Sequence, residues 1–202
     1  MHDLFTIHAL AGLGGYMLGS IPFGIVIAKL FGLGDLRQIG SGNIGATNVL
    51  RTGNKPAAFL TLVLDIGKGA IAVGITHLLT EAPYAILAAG FWAVIGHNFP
   101  IWLKFKGGKG VATTLGVLIA TAWPVGLAAC ATWLVTAAIF RYSSLAALVA
   151  LAAAPVYSWA IFDAPQHAAM AGGLAVLAWV RHHENIRRLL KGQESKIGKK
   201  KS

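Results

Sequence analysis

The segment Gly40-Ser41-Gly42-Asn43-Ile44-Gly45-Ala46-Thr47-Asn48-Val49-Leu50-Arg51 holds the densest chemistry in the chain. Three glycines reach positive φ without steric cost, so successive backbone N–H groups can converge as an anion-binding nest. Ser41, Asn43, Thr47 and Asn48 add small donors, and Arg51 adds a planar cationic fork matched to phosphate. The spacing Gly40-x-Gly42-x-x-Gly45 also fits a dinucleotide fingerprint, with Asp65 twenty residues beyond Gly45. That match fails on context, because no strand pattern precedes it and Asp65 falls in an apolar helical stretch.

Three further clusters carry polar side chains. Gly96-His97-Asn98-Phe99-Pro100 is followed by Lys104-x-Lys106-Gly107-Gly108-Lys109-Gly110, directly before an apolar helix pattern. A glycine-flanked lysine at a helix N-terminus suits a second phosphate group, and Lys106, Gly107 and Gly108 would line it. The spacing of a Walker A loop is absent. In His182-His183-Glu184-Asn185-Ile186-Arg187-Arg188, His182 and Asn185 share one helix face while His183 and Glu184 point elsewhere. Such a His–Asn pair could orient a substrate hydroxyl or take its proton. Arg141-Tyr142-Ser143-Ser144 is a short polar turn of lower specificity. Asp65 and Lys68 lie within an apolar span, where they read equally well as a structural ion pair or as the floor of a polar cavity.

The elements that position these residues are membrane helices. The chain has 202 residues, 56% hydrophobic and 12% charged, with a mean hydropathy of +0.67, which excludes an ordinary soluble domain. Hydropathy predicts spans at Ile7–Phe31, Pro56–Leu79, Tyr84–Leu103, Val111–Ala122, Pro124–Phe140, Ser143–Phe162 and Ala168–Val180. The fold class is therefore an all-α polytopic membrane bundle of seven helices, N-terminus outside and C-terminus cytoplasmic. In that arrangement every Lys and Arg except Lys68 falls on the inner side, while the outer connections carry only Glu81 and Asp163. The net charge of +10 thus reports membrane orientation and excludes nucleic acid as the partner. Fusing the two short spans into one helix kinked at Pro124 would place the basic C-terminus outside, against the charge rule. Cys130, the single cysteine, reads as a buried hydrophobe. No composition shift divides the chain, so residues 1–191 read as a single domain and 192–202 as a disordered basic tail with Lys199-Lys200-Lys201.

With those residues in hand, the chain resembles the PlsY family of bacterial integral-membrane glycerol-3-phosphate acyltransferases. The matching motifs are Ser-Gly-Asn-x-Gly-Ala-Thr-Asn-Val-x-Arg, Asp-x-x-Lys-Gly, Gly-His-x-Phe-Pro with Lys-Gly-Gly-Lys-Gly-Val-Ala-Thr, and His-x-Glu-Asn-Ile-x-Arg-Leu. They extend from Gly19 to Glu194. The resemblance implies acyl transfer from acyl phosphate to glycerol 3-phosphate, giving lysophosphatidic acid in the first acylation of phospholipid synthesis. It implies a multi-pass protein of the inner membrane with a cytoplasmic active site and no cofactor or metal. Membrane lipids and a soluble enzyme that forms acyl phosphate would be its partners. By this resemblance Ser41, Arg51, Lys109, His182 and Asn185 match the functionally important positions.

The residues agree with that chemistry. There is no Gly-x-Ser-x-Gly elbow and no His-x-x-x-x-Asp pair for thioesters. A mixed anhydride needs little activation, so proximity and charge neutralisation are the main demands. The expected roles give the glycine loop the acyl phosphate, Arg51 and Lys109 its charge, and His182 and Asn185 the acceptor. The competing class, a channel or transporter for phosphorylated metabolites, would need cationic recognition residues on the outer face, where none occur.

Overall fold

Proline and glycine interrupt an otherwise continuous apolar chain and decide where its helices end. The structure is a computed structural model that describes residues 2–162 and 165–198, ten α-helices and two short 3-10 turns, with no strand among the described residues. The chain divides into two compact units, Met1–Thr121 and Ala122–Ser202.

In the first unit, α1 spans His2–Gly19 and α2 spans Phe23–Leu30. The span expected over Ile7–Phe31 is built from two helices, separated at Ser20-Ile21-Pro22 because Pro22 has no N–H and its ring crowds the preceding turn. Ser20 donates its N–H to Tyr16 O at 2.8 Å and its hydroxyl to Met17 O at 2.8 Å, and Lys68 Nζ donates to Ile21 O at 2.9 Å. Next come α3 (Ala46–Leu50) and α4 (Lys55–Leu79), the latter capped by Asn54, whose side chain accepts from Ala57 N at 3.0 Å. Pro83 opens α5 (Pro83–Asn98), and α6 covers Val111–Thr121. Close approach fixes the packing: a Cβ at Gly15 or Gly19 of α1 would overlap the carbonyl oxygens of Ala89 and Ala93 on α5.

The second unit contains α7 (Trp123–Phe140), α8 (Ser143–Phe162), α9 (Pro165–Arg181) and α10 (His183–Leu190). Thr132 and Tyr157 share a hydrogen bond of 2.8 Å between α7 and α8, and Trp179 Nε1 reaches Leu148 O at 3.3 Å between α9 and α8. As expected, α6 and α7 are separate helices, interrupted at Ala122 with Pro124 in the first turn of α7.

Phe5, Phe59, Leu78, Leu79 and Trp123 expose most of their surface on the outside of these helices, as lipid-facing residues do. Five stretches are long and apolar enough to cross a membrane: Phe5–Leu30, Lys55–Leu79, Pro83–Leu103, Trp123–Phe140 and Ser143–Ile161. Val111–Thr121 is a shorter apolar helix of 11 residues, and α9 has 17.

The tail expected to be disordered from residue 192 is anchored as far as its described residues extend. Ile197 N donates to Arg141 O at 2.7 Å, Arg141 Nη2 donates back to Ile197 O at 3.0 Å, and Lys196 stands over the Tyr142 ring. Polar backbone that finds partners this specific does not behave as a solvated chain. Asp163 and Lys199–Ser202 lie outside the described residues.

Candidate active site

The glycine loop of the first unit is organised by one buried amide. Asn48, 1% exposed, sits on α3 and uses both ends of its side chain on the loop itself. Its Nδ2 donates to Leu36 O at 2.9 Å and Ile39 O at 3.0 Å. Its Oδ1 accepts from Ser41 N at 3.1 Å, from the Ser41 hydroxyl at 3.4 Å and from Arg51 Nη1 at 3.4 Å. Asn48 therefore holds Ser41 and Arg51 together, and the expectation that it donates to phosphate is corrected: both amide hydrogens are committed to backbone carbonyls. The expected nest is also narrower, because Ser41 N–H goes to Asn48 and Gly42 N–H to Ile39 O at 2.9 Å.

Gly40 and Gly42 adopt φ of 57° and 70°, which explains the residue type. A Cβ on Gly40 would also stand 2.5 Å from Asn48 Oδ1 and 2.8 Å from Arg51 Cδ. Ser41, Thr47 and Arg51 are exposed, Asn43 and Gly45 are half-buried, and Gly45 is the N-cap of α3. Gly24 seats the loop on the start of α2, since a Cβ there would overlap Ile44 O.

The second loop is fastened to the end of α5. Gly107 N–H donates to Asn98 O at 3.1 Å and Gly108 N–H to His97 O at 3.1 Å, so these two amides serve the loop and are not offered to a ligand as expected. A Cβ on Gly108 would overlap His97 Nε2, and Gly110, at φ 79°, lies 2.7 Å from Asn98 Oδ1 by the same test. Lys109 is half-buried while Lys104 and Lys106 are exposed. Beneath the loop, Asp65 and Lys68 form a buried ion pair of 2.8 Å, and His97 Nδ1 lies 3.6 Å from the same Asp65 oxygen. The ion-pair reading of Asp65 and Lys68 is thus what the structure contains.

In the second unit, His182 stands at the junction of α9 and α10 and Asn185 in the first turn of α10, both buried, while His183 and Glu184 are exposed. His182 Nδ1 lies 2.7 Å from Ala178 O. A carbonyl only accepts, so Nδ1 carries a proton. Asn185 Nδ2 donates to Glu194 Oε1 at 2.6 Å, which also accepts from the Ser144 hydroxyl at 2.8 Å. Arg188 Nε donates to Glu194 Oε2 at 2.7 Å. Burial alone would raise the Glu194 carboxyl, but the bonds from Arg188, Asn185 and Ser144 outweigh it and hold the pKa below the ordinary value. Sequence spacing missed Glu194, because the chain turns back at Gly192 (φ 67°) after α10 has ended.

Long apolar helices that turn large hydrophobic side chains outward define a multi-pass membrane protein. The comparisons with known proteins give the class. A family model described as "Glycerol-3-phosphate acyltransferase" matches residues 9–192. A glycerol-3-phosphate acyltransferase of Rhodospirillum rubrum is 65% identical over 213 residues, covering 100% of this chain and 98% of that protein. One from Paramagnetospirillum magneticum is 64% identical over 191 residues, covering 95% and 94%. Among solved structures, PlsY (YgiH), an integral membrane glycerol 3-phosphate acyltransferase in its glycerol 3-phosphate form, superposes with a TM-score of 0.89 at 40% identity, covering 95% of this chain and 96% of that one. Its lysophosphatidic acid form gives 0.85 at 37% identity, covering 95% of each chain. The chain belongs to the glycerol-3-phosphate acyltransferase family and is an integral membrane acyltransferase.

Proposed function

We propose that this acyltransferase moves the acyl group of an acyl phosphate to the 1-hydroxyl of glycerol 3-phosphate, forming 1-acyl-glycerol 3-phosphate and inorganic phosphate. The observation that carries the reading is the Asn48 hub, which brings an exposed Ser41 and an exposed Arg51 onto one rigid turn. A hydroxyl and a guanidinium so held suit a phosphate group at the membrane surface. The acceptor is supported by the glycerol 3-phosphate and lysophosphatidic acid forms of the similar solved proteins.

In this reading Ser41, Asn43, Thr47 and the backbone of Gly40, Gly42 and Gly45 frame the donor phosphate, and Asn48 keeps the frame in shape. Arg51 and Lys109 neutralise phosphate charge, with Lys106 and the backbone of Gly107 and Gly108 shaping the lysine loop. His182 and Asn185 orient the acceptor, the His182 ring being held by Ala178 O and the Asn185 amide by Glu194. The acceptor oxygen attacks the acyl carbon, the bond from that carbon to the phosphate oxygen breaks, and its electron pair leaves with phosphate. The hydroxyl proton passes to the departing phosphate, whose second pKa of about 6 suits neutral pH. No acyl-enzyme is required, because the anhydride is already activated.

The same proposal places seven spans in a bacterial inner membrane, adding α6 and α9 to the five longer stretches. The N-terminus is outside, the loops are cytoplasmic, and the basic residues are consequently inside. A soluble enzyme that forms acyl phosphate supplies the donor. The reaction type is tested with acyl phosphate carrying ¹⁸O in the bridging position. Acyl transfer delivers that label to inorganic phosphate, whereas attack at phosphorus would leave it in free fatty acid.

A further inference from the structure

The two phosphate loops of the first unit rest on one buried set of charges. Lys68 and Asp65 are 2% and 3% exposed at their side chains and three residues apart on α4. Charges this deep in an apolar segment persist only where they are paired and do something that an apolar side chain could not. On one side Lys68 Nζ donates to Ile21 O at 2.9 Å and lies 5.7 Å from the centre of the Phe23 ring, so it holds the break between α1 and α2. Immediately after that break, Gly24 receives Ile44 of the glycine loop in backbone contact. On the other side Asp65 faces His97 Nδ1 at 3.6 Å. The opposite edge of the same imidazole, Nε2, lies against Gly108, whose N–H is bound to the His97 carbonyl. The line of contact thus runs Ile21, Lys68, Asp65, His97, Gly108 and ends one residue before Lys109.

We infer that Asp65, Lys68 and His97 are positioning residues for catalysis: a buried brace that sets the Gly107-Gly108-Lys109-Gly110 loop so that the Lys109 ammonium meets substrate phosphate. An imidazole wedged between a carboxylate and a glycine has a fixed ring plane, and the glycine that abuts it inherits that fixation. Loss of the Asp65 charge releases the ring, lets Gly108 shift, and moves Lys109 without removing it. A displacement of about 1 Å at a charge-neutralising group is enough to lower turnover by orders of magnitude. The inference rests on the reading of Lys109 as a phosphate partner, and the experiment separates the two.

The test is a double-mutant cycle on detergent-purified, monodisperse enzyme, reading kcat/KM with acyl phosphate and glycerol 3-phosphate. Asp65→Asn is made in the wild-type and in the Lys109→Gln background. Should Asp65→Asn alone fail to insert, Asp65→Asn/Lys68→Met takes its place, since removing both charges leaves neither uncompensated. The brace predicts a loss of about tenfold or more in the wild-type background and no more than about twofold in Lys109→Gln, where there is no ammonium left to misplace. Equal fold losses in both backgrounds would mean that the pair serves the fold at large and would overturn the inference. So would full activity of the Asp65 variant, or failure of both variants to insert. If Lys109→Gln alone is as active as wild type, the phosphate role of Lys109 falls first and the brace falls with it.

Discussion

Asn185 Nδ2 and Glu194 Oε1 are 2.6 Å apart, so the orientation of a candidate acceptor-binding amide is set by a carboxylate nine residues further along the chain. Ser144 and Arg188 complete the carboxylate's bonding, and Asn185 must turn Nδ2 toward it, because its Oδ1 cannot donate. Glu194→Gln replaces one carboxylate oxygen with an NH2 donor, which must face either Asn185 and Ser144 or Arg188, so one side of the network loses its acceptor. A fall in kcat/KM of about tenfold or more is expected, and Asn185→Ala/Glu194→Gln should be little worse than Asn185→Ala alone. Multiplicative losses in that pair would separate the two residues.

The same carboxylate makes stability depend on pH in a defined direction. Its folded-state pKa lies below the ordinary value of 4.5, so the stabilisation is complete above that value and is lost as pH falls through the lowered folded value. Melting temperatures of wild type and Glu194→Gln in detergent should converge as the pH is taken down through the acid range. A gap between them that persists unchanged at low pH would contradict the assignment.

Gly40 and Gly53 both have left-handed φ, 57° and 87°, but only Gly40 faces side chains within 4 Å. Both Gly→Ala variants should therefore be strained, by about 1–2 kcal/mol. Gly40→Ala should in addition push Asn48 and Arg51 apart and lose most activity, whereas Gly53→Ala should stay within about threefold of wild type. Comparable activity in the two variants would show that the crowding at Gly40 does not matter to turnover.

Charge and geometry are separable at Arg51. Ser41→Ala, Arg51→Ala and Lys109→Ala should each lose most activity in protein that still inserts, and Arg51→Lys should also be poor because a point charge lacks the guanidinium fork. Lys29→Ala, at an exposed position on α2, removes an equal charge and should retain activity. Lys196 is unsuitable as that control, since it stands over Tyr142. Equal small losses at Arg51, Lys109 and Lys29 would leave only bulk electrostatics.

The local geometry around the candidate site is legible in the sequence where residue type dictates backbone or burial. Gly40 and Gly42 do adopt left-handed backbone, and His182 and Asn185 are buried while His183 and Glu184 are not. Three features escape a linear reading for physical reasons. Asn48 looks like a ligand donor until its hydrogen bonds to Leu36 and Ile39, made across the turn, are counted. Pro22 sits in a run apolar enough to hide the break that it causes, and the cation that meets the Ile21 carbonyl there, Lys68, is 47 residues beyond Ile21. Glu194 lies in a basic, polar tail that composition assigns to solvent, and only the return of the chain to Arg141 and Ser144 gives it a role.

The orientation is tested by reporters. One fused between Thr80 and Pro83 should report the periplasm, and one after Ser202 the cytoplasm, as the positive-inside rule demands. The opposite result at either point would move the phosphate loops to the wrong face.

The donor is the central claim, and one assay addresses it directly. Purified enzyme in detergent is given labelled glycerol 3-phosphate with either acyl phosphate or the matching acyl-CoA, and lysophosphatidic acid is counted. The account predicts rapid product from acyl phosphate and none above background from acyl-CoA, because in the proposed reading the two loops bind the donor phosphate and the sequence has no thioester-directed pair. Comparable rates from acyl-CoA, with acyl phosphate formation excluded, would contradict it.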